Sequence, residues 1–151
     1  MNSLCCARNA FSALSLLAAV TACGAAWADS NAPTVDVRRG MEATFTAAIV
    51  DGRITLGPAR VTRLGTAQPK DGEMTVGVEP GGMTPYAQLH VSEKTAVPLD
   101  FVATGLIDNI KIDEITLCGR LDRLDSQRIA AGSLHVSLNR FTVGTGTGVC
   151  R

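Results

Sequence analysis

The sequence predicts an all-β domain: a single-domain antiparallel β-sandwich of immunoglobulin-like size, with a small β-barrel as the alternative closure. Three observations predict it. From Thr34 onward the chain is a succession of short segments rich in Val, Ile, Thr and Leu, punctuated by Gly, Pro and Asp. Several of these segments alternate apolar and polar residues, the period of a strand with one buried face. No stretch sustains a 3.6-residue apolar period with helix caps.

The first expected strand is Val35–Arg38. Residues 44–50 and 53–56 flank Asp51-Gly52, a strong hairpin signal because a type I′ turn needs positive φ at both central residues. Strands are then expected over 60–64 and 73–78, separated by the turn formers Gln68-Pro69-Lys70-Asp71-Gly72. Glu79-Pro80-Gly81-Gly82 leads to a strand over 86–93, where Leu89 and Val91 point one way and His90 and Ser92 the other. In the segment 97–104, Val97, Leu99, Phe101 and Ala103 share one face.

The segments 109–118 and 133–143 each change phase. One passes from Ile110/Ile112 to Ile115/Leu117 across Asp113-Glu114, the other from Leu134/Val136/Leu138 to Phe141/Val143 across Asn139-Arg140. A one-residue slip would turn the apolar set outward unless a β-bulge absorbs it, so a bulge is expected at each place. Pro58 and Pro98 mark strand starts or sheet edges. Arg120-Leu121-Asp122-Arg123-Leu124-Asp125 interleaves its charges and reads as a solvated, self-paired surface turn.

At 151 residues the chain holds one domain and a leader. Arg8 precedes an apolar run from about Ala10 to Ala22, and Ala26-Trp27-Ala28 stands before Asp29. That is the layout of a secretory signal peptide spanning 1–28, with the β-domain over 29–151. The run is apolar all round, unlike an amphipathic domain helix, and falls short of the ~20 residues that span a bilayer. Val20-Thr21-Ala22-Cys23 also resembles a bacterial lipobox, which offers a second route: a leader of 1–22 with lipid on Cys23, the one case in which the protein would meet a membrane. Both routes export the chain, to the periplasm or cell envelope of a bacterium.

Losing residues 1–28 removes one of 14 Lys+Arg and none of 14 Asp+Glu, which leaves a net charge of −1. A near-neutral domain has no long-range field for nucleic acid, so none is expected as a partner. Of five cysteines, Cys5, Cys6 and Cys23 belong to the leader, leaving Cys118 and Cys150 to form one disulfide in an oxidising compartment. Closing that loop of about 33 residues would stabilise the fold by roughly 3–4 kcal/mol in the chain-entropy model and pin the glycine-rich tail. The two lack C-x-x-C spacing, so a structural role is expected.

The tetrapeptide Leu89-His90-Val91-Ser92 recurs as Leu134-His135-Val136-Ser137 and carries both histidines of the chain. Were the two strands to pair in register, the imidazoles would stand opposite one another and, with Met83, offer a zinc or copper site. The likeness ends after four residues, so two copies of a good strand sequence with solvent-facing histidines is the expected reading, and no cofactor is assigned. Asp108, Asp113 and Glu114 would suit a hydrolase or a calcium site, yet no calcium-loop spacing accompanies them. A G-x-S-x-G elbow is absent, and no catalytic residue is assigned.

Among the aromatics, Phe45, Phe101 and Phe141 look core-facing, and Tyr86 alone is a poor sugar platform. The loop 81–86, with Met83 and Tyr86, is the segment best suited to contact a ligand. The sequence thus points to a non-catalytic binding or structural module that meets another envelope protein through an edge strand. A metal-handling protein and an acidic hydrolase are the alternatives.

Overall fold

The computed structural model describes residues 32–81, 86–119, 123–130 and 135–147. The segment read as a leader, including Cys23, lies outside the described residues, as do Met83 and Cys150. Ten strands follow one another: β1 (Val35–Arg38), β2 (Met41–Val50), β3 (Arg53–Leu56), β4 (Arg60–Arg63), β5 (Glu73–Glu79), β6 (Tyr86–Glu93), β7 (Leu99–Ile107), β8 (Ile110–Cys118), β9 (Arg123–Ala130) and β10 (His135–Val143). All described pairings are antiparallel.

The strands form two sheets, one ordered β1-β10-β7-β8 and the other β3-β2-β5-β6-β9, with β4 also paired to β2. The second sheet is strongly curled. The curl centres on β2, whose first half pairs with β4 and β5 and whose second half pairs with β3. Pro58 breaks β3 from β4, because it has no N–H for the ladder. Beside it the Gly57 N–H donates to the Thr46 carbonyl at 2.9 Å, which carries the pairing across the break.

Alternating residues of the two sheets face each other and bury Val37, Phe45, Val76, Leu89, Ile129 and Leu138 to 1% exposure or less. Each such side chain contributes about 1.5–3 kcal/mol relative to leaving it in water. The three phenylalanines cluster: Phe141 meets Phe45 edge-on at 5.9 Å and stacks on Phe101 at 5.5 Å. A bulge puts Phe141 there. The β7–β10 register shifts between Asn139 and Thr142, and Arg140 takes φ 50°. The extra residue turns Phe141 toward the core, as the phase change in the sequence requires.

The second bulge falls slightly earlier than expected. Gly105 pairs with Asp113 and Leu106 with Lys111, so Ile112 is the extra residue. Ile110 and Ile112 therefore stay exposed while Leu117 is buried. Asp51 and Gly52 have φ of 50° and 74°, the type I′ geometry expected of that hairpin.

One expectation is overturned. Of the segment read as a surface turn at 120–125, residues 123–125 belong instead to β9, which pairs with β6 from Ser92↔Leu124 to Tyr86↔Ala130, and residues 120–122 lie outside the described residues. Polar residues on an edge strand hide its pattern, and the cross-strand ladder decides its conformation. β7 also starts later and ends later than expected, at Leu99 and Ile107, with Pro98 just before it.

Candidate functional site

The curled sheet has a second face, away from the core, and it is not left open to water. On β2, β5 and β6 the residues pointing there are Glu42, Thr44, Thr75, Gly77, Glu79, His90 and Ser92, mostly small or polar. The ladder aligns them in rows: Glu42 beside Gly77 beside His90, and Thr44 beside Thr75 beside Ser92. The chain after β4 folds over this face as a roof, with Leu64, Gly65, Ala67 and Pro69 above the strands. Between roof and floor lies a pocket of about 550 Å³.

Glu42 holds the roof down. Its residue is 5% exposed, and its carboxylate accepts from the Gly65 N–H at 3.0 Å, the Thr66 N–H at 2.8 Å and the Ala67 N–H. The hydroxyls of Thr62 and Thr66 add longer bonds, each at 3.3 Å. Burial pushes the Glu42 pKa up, but the three backbone donors outweigh it and hold the group below the usual glutamate range. Gly65 has φ 81°, a left-handed turn that glycine adopts without strain and that aims successive N–H groups at one anion. Gly77 fits the same design: a Cβ there would strike the Leu64 Cδ1.

Over the floor, His90 Nε2 stands 2.5 Å from Glu79 Oε2, with side-chain exposures of 26% and 48%. Glu79 lies diagonally across the ladder, since Gly77 pairs with His90 and Glu79 with Gln88. Thr44 and Thr75 pair their hydroxyls at 2.8 Å within the sheet. Among the described residues, no Lys or Arg lines the pocket, and the carboxylates among its lining residues are those of Glu42 and Glu79.

The structure does not bring the two histidines together. His90 lies in β6 opposite Gly77 and Ser126, whereas His135 lies in β10 of the other sheet, opposite Arg38 and Leu106. They line different cavities, so the cross-strand facing that the alternative metal site needs does not occur, and Met83 is outside the described residues. Nor is His90 merely solvent-facing: it is half-buried at the wall of a pocket.

The acidic trio is dispersed as well. Asp108 sits with Asn109 at a hairpin tip, both at positive φ (48° and 65°). Asp113 accepts from the Ala130 N–H at 2.7 Å and so links β8 to β9, one strand of each sheet. Glu114 instead takes the Lys111 ammonium at 2.8 Å and the Arg140 guanidinium at 3.1 Å on the exposed side. Its hydrogen bond from Lys111 leads the causes that lower its pKa. Carboxylates turned to opposite sides of a strand do not share a reacting centre. Cys118, at the end of β8, is disulfide-bonded, and its expected partner Cys150 lies outside the described residues.

Sequence reasoning missed Glu42, Glu79 and the roof. The one available signal was Gly65 among small and polar residues after a short strand, which marks a turn but not what the turn covers. Comparisons with protein-family models, with curated proteins and with solved structures find no match.

Proposed function

We propose that this chain is an exported β-sandwich of the periplasm or cell envelope that binds a small ligand, without catalysis, in the pocket roofed by residues 64–69. The supporting observation is the Glu42 anchor. A buried carboxylate with three backbone donors builds a lasting concavity on a sheet face that, left bare, would be flat. The walls suit an amphiphile: Leu64, Ala67, Pro69 and Gly77 offer an apolar bed, while Ser92, Glu79 and His90 offer polar ends. No described Ser, Thr or Cys is hydrogen-bonded to His90, which favours binding over nucleophilic chemistry.

A fluorine NMR screen of a fragment library with neutral, cationic and anionic members is expected to give hits that vanish in Ser92→Phe, whose ring would fill the floor. An unchanged fold of that variant, seen by circular dichroism, completes the test. Hits that persist in Ser92→Phe, or a library with none, would count against the pocket.

Export supplies the setting and is part of the proposal, as is the Cys118–Cys150 bond. Mass spectrometry of the protein from its native envelope is expected to find a chain starting at Asp29, without Trp27, and a disulfide-linked peptide pair holding Cys118 and Cys150. An intact leader or alkylatable thiols would overturn this setting while leaving the pocket untouched.

A further inference from the structure

The corner where β1, β4 and β10 come together gathers unpaired positive charge. Arg38 and Arg39 stand at the end of β1 and in the turn after it, and Arg63 ends β4. The Leu64 N–H donates to the Gly40 carbonyl at 3.1 Å, which sets Arg39 and Arg63 on either side of one hydrogen bond. Arg38 is the register partner of His135, and both line a cleft of about 520 Å³ with Asp36, Met41 and Val61.

Val61 and Arg63 alternate onto the same side of β4, and Arg63 is the register partner of Met41, so its backbone adjoins two residues that line the cleft. All three arginines are exposed, and among the described residues none has an ion-pair partner. Arg60 differs: it faces the other side of β4 and is paired to Glu73 at 2.8 Å. Among the described residues, Asp36 is the single carboxylate lining the cleft.

Charges on an edge strand guard against edge-to-edge pairing, and Arg63 alone would serve for that. The guard does not require Arg38 and His135 of the opposite sheet to line the same cleft as Met41 and half-exposed Val61. In a domain of near-zero net charge, Arg38 inside an apolar-walled cleft, with Arg63 two residues beyond the lining Val61 and Arg39 in the adjoining turn, matches a multi-oxygen anion attached to a small apolar body. We propose that this corner binds a phosphate monoester with an apolar substituent. The site is separate from the roofed pocket, and its fate does not depend on that pocket.

The test uses the exported chain, ¹⁵N-labelled, with hexyl phosphate as probe and inorganic phosphate beside it. Shift changes are expected at Arg38, Arg39, Val61, Arg63 and His135, with hexyl phosphate the tighter ligand. The double variant Arg38→Gln/Arg63→Gln is expected to weaken it by at least about tenfold, since each guanidinium supplies charge-assisted bonds. Arg53→Gln removes an equal type of charge from the β2–β3 hairpin and is expected to change affinity less than about twofold. No localised shifts, or equal loss in the Arg53 control, would overturn the proposal. Sedimentation with vesicles containing phosphatidic acid but not with phosphatidylcholine vesicles, lost in the double variant, would identify the phosphate as a lipid headgroup. Hexyl phosphate binding without sedimentation would identify a soluble ester.

Discussion

Glu42→Ala is expected to cost about 3 kcal/mol and to lift the roof from the pocket. Each backbone N–H held by a charged acceptor is worth about 1.5–3 kcal/mol, and three are orphaned together at Gly65, Thr66 and Ala67. The roof recovers part of that by swinging toward water, so the loss stays below the simple total. In a domain of this size the melting temperature falls by about 10 °C. Hydrogen exchange should show the change where it happens, with the amides of residues 65–67 losing protection while Val76 and Leu89 in the core keep theirs. Glu42→Gln is the milder case, because its amide keeps one acceptor but turns an NH₂ toward a donor.

The pH dependence of the same residue has a definite sign. A carboxylate held below the usual glutamate range stabilises the fold fully above that range, and the contribution is lost as pH falls through the depressed folded value. Wild type and Glu42→Ala should therefore converge in stability as the solution is acidified. Equal melting temperatures at neutral pH, or unchanged exchange at residues 65–67, would remove Glu42 from its place as the anchor of the site.

What the sequence revealed of this fold was whatever local geometry dictates. Asp51-Gly52 announced its hairpin because few residues accept positive φ twice in succession. Asn139-Arg140 announced a bulge because the apolar phase slipped there, and Phe141 needed the slip to join Phe45 and Phe101. Asp108-Asn109 makes the same kind of turn as Asp51-Gly52, but without glycine the signal was weaker, and Asn109 read as strand. β9 escaped notice because Arg123-Leu124-Asp125-Ser126-Gln127-Arg128 reads as polar in sequence, and its ladder to β6 makes it a strand.

The site was less legible for a related reason. Glu42, Gly77 and His90 form one row only because β2, β5 and β6 pair in a particular register, and register belongs to pairs of strands rather than to any segment. A glutamate inside a short apolar run looks like a strand end until the chain that covers it is seen. The repeated Leu-His-Val-Ser shows the converse hazard: identical local sequence placed His90 and His135 in different sheets.

Gly119→Ala is expected to be the most damaging single-methyl change, at about 3 kcal/mol or more. The added Cβ would strike two atoms at once, Glu93 Oε2 and the Leu99 carbonyl oxygen. The carbonyl is fixed, because it accepts from the Gly119 N–H itself at 2.6 Å. Glu93 is fixed too. It is completely buried, and its Oε1 accepts from the Thr95 hydroxyl and, at 2.9 Å, from the Leu99 N–H. Overpacking against atoms that cannot retreat lies at the costly end of core substitutions. A double-mutant cycle with Glu93→Ala separates the two collisions: the second change should relieve part of the first, and strict additivity would mean that the carboxyl is not the obstacle.

The carboxyl itself carries a pH signature opposite to that of Glu42. Burial is the main cause that raises the Glu93 pKa, with Asp100 adding to it and the bonds from Thr95 and Leu99 opposing, while Oε2 has no hydrogen-bond partner among the described residues. Between the usual glutamate range and this raised value the unfolded chain has lost its proton and the folded one has not. Stability therefore falls as pH rises through that window and levels off above it. Glu93→Gln cannot titrate, so its melting temperature should gain on the wild type from mildly acidic toward neutral solution. Parallel curves for the two proteins would show that Glu93 gives up its proton in the fold as readily as in the unfolded chain.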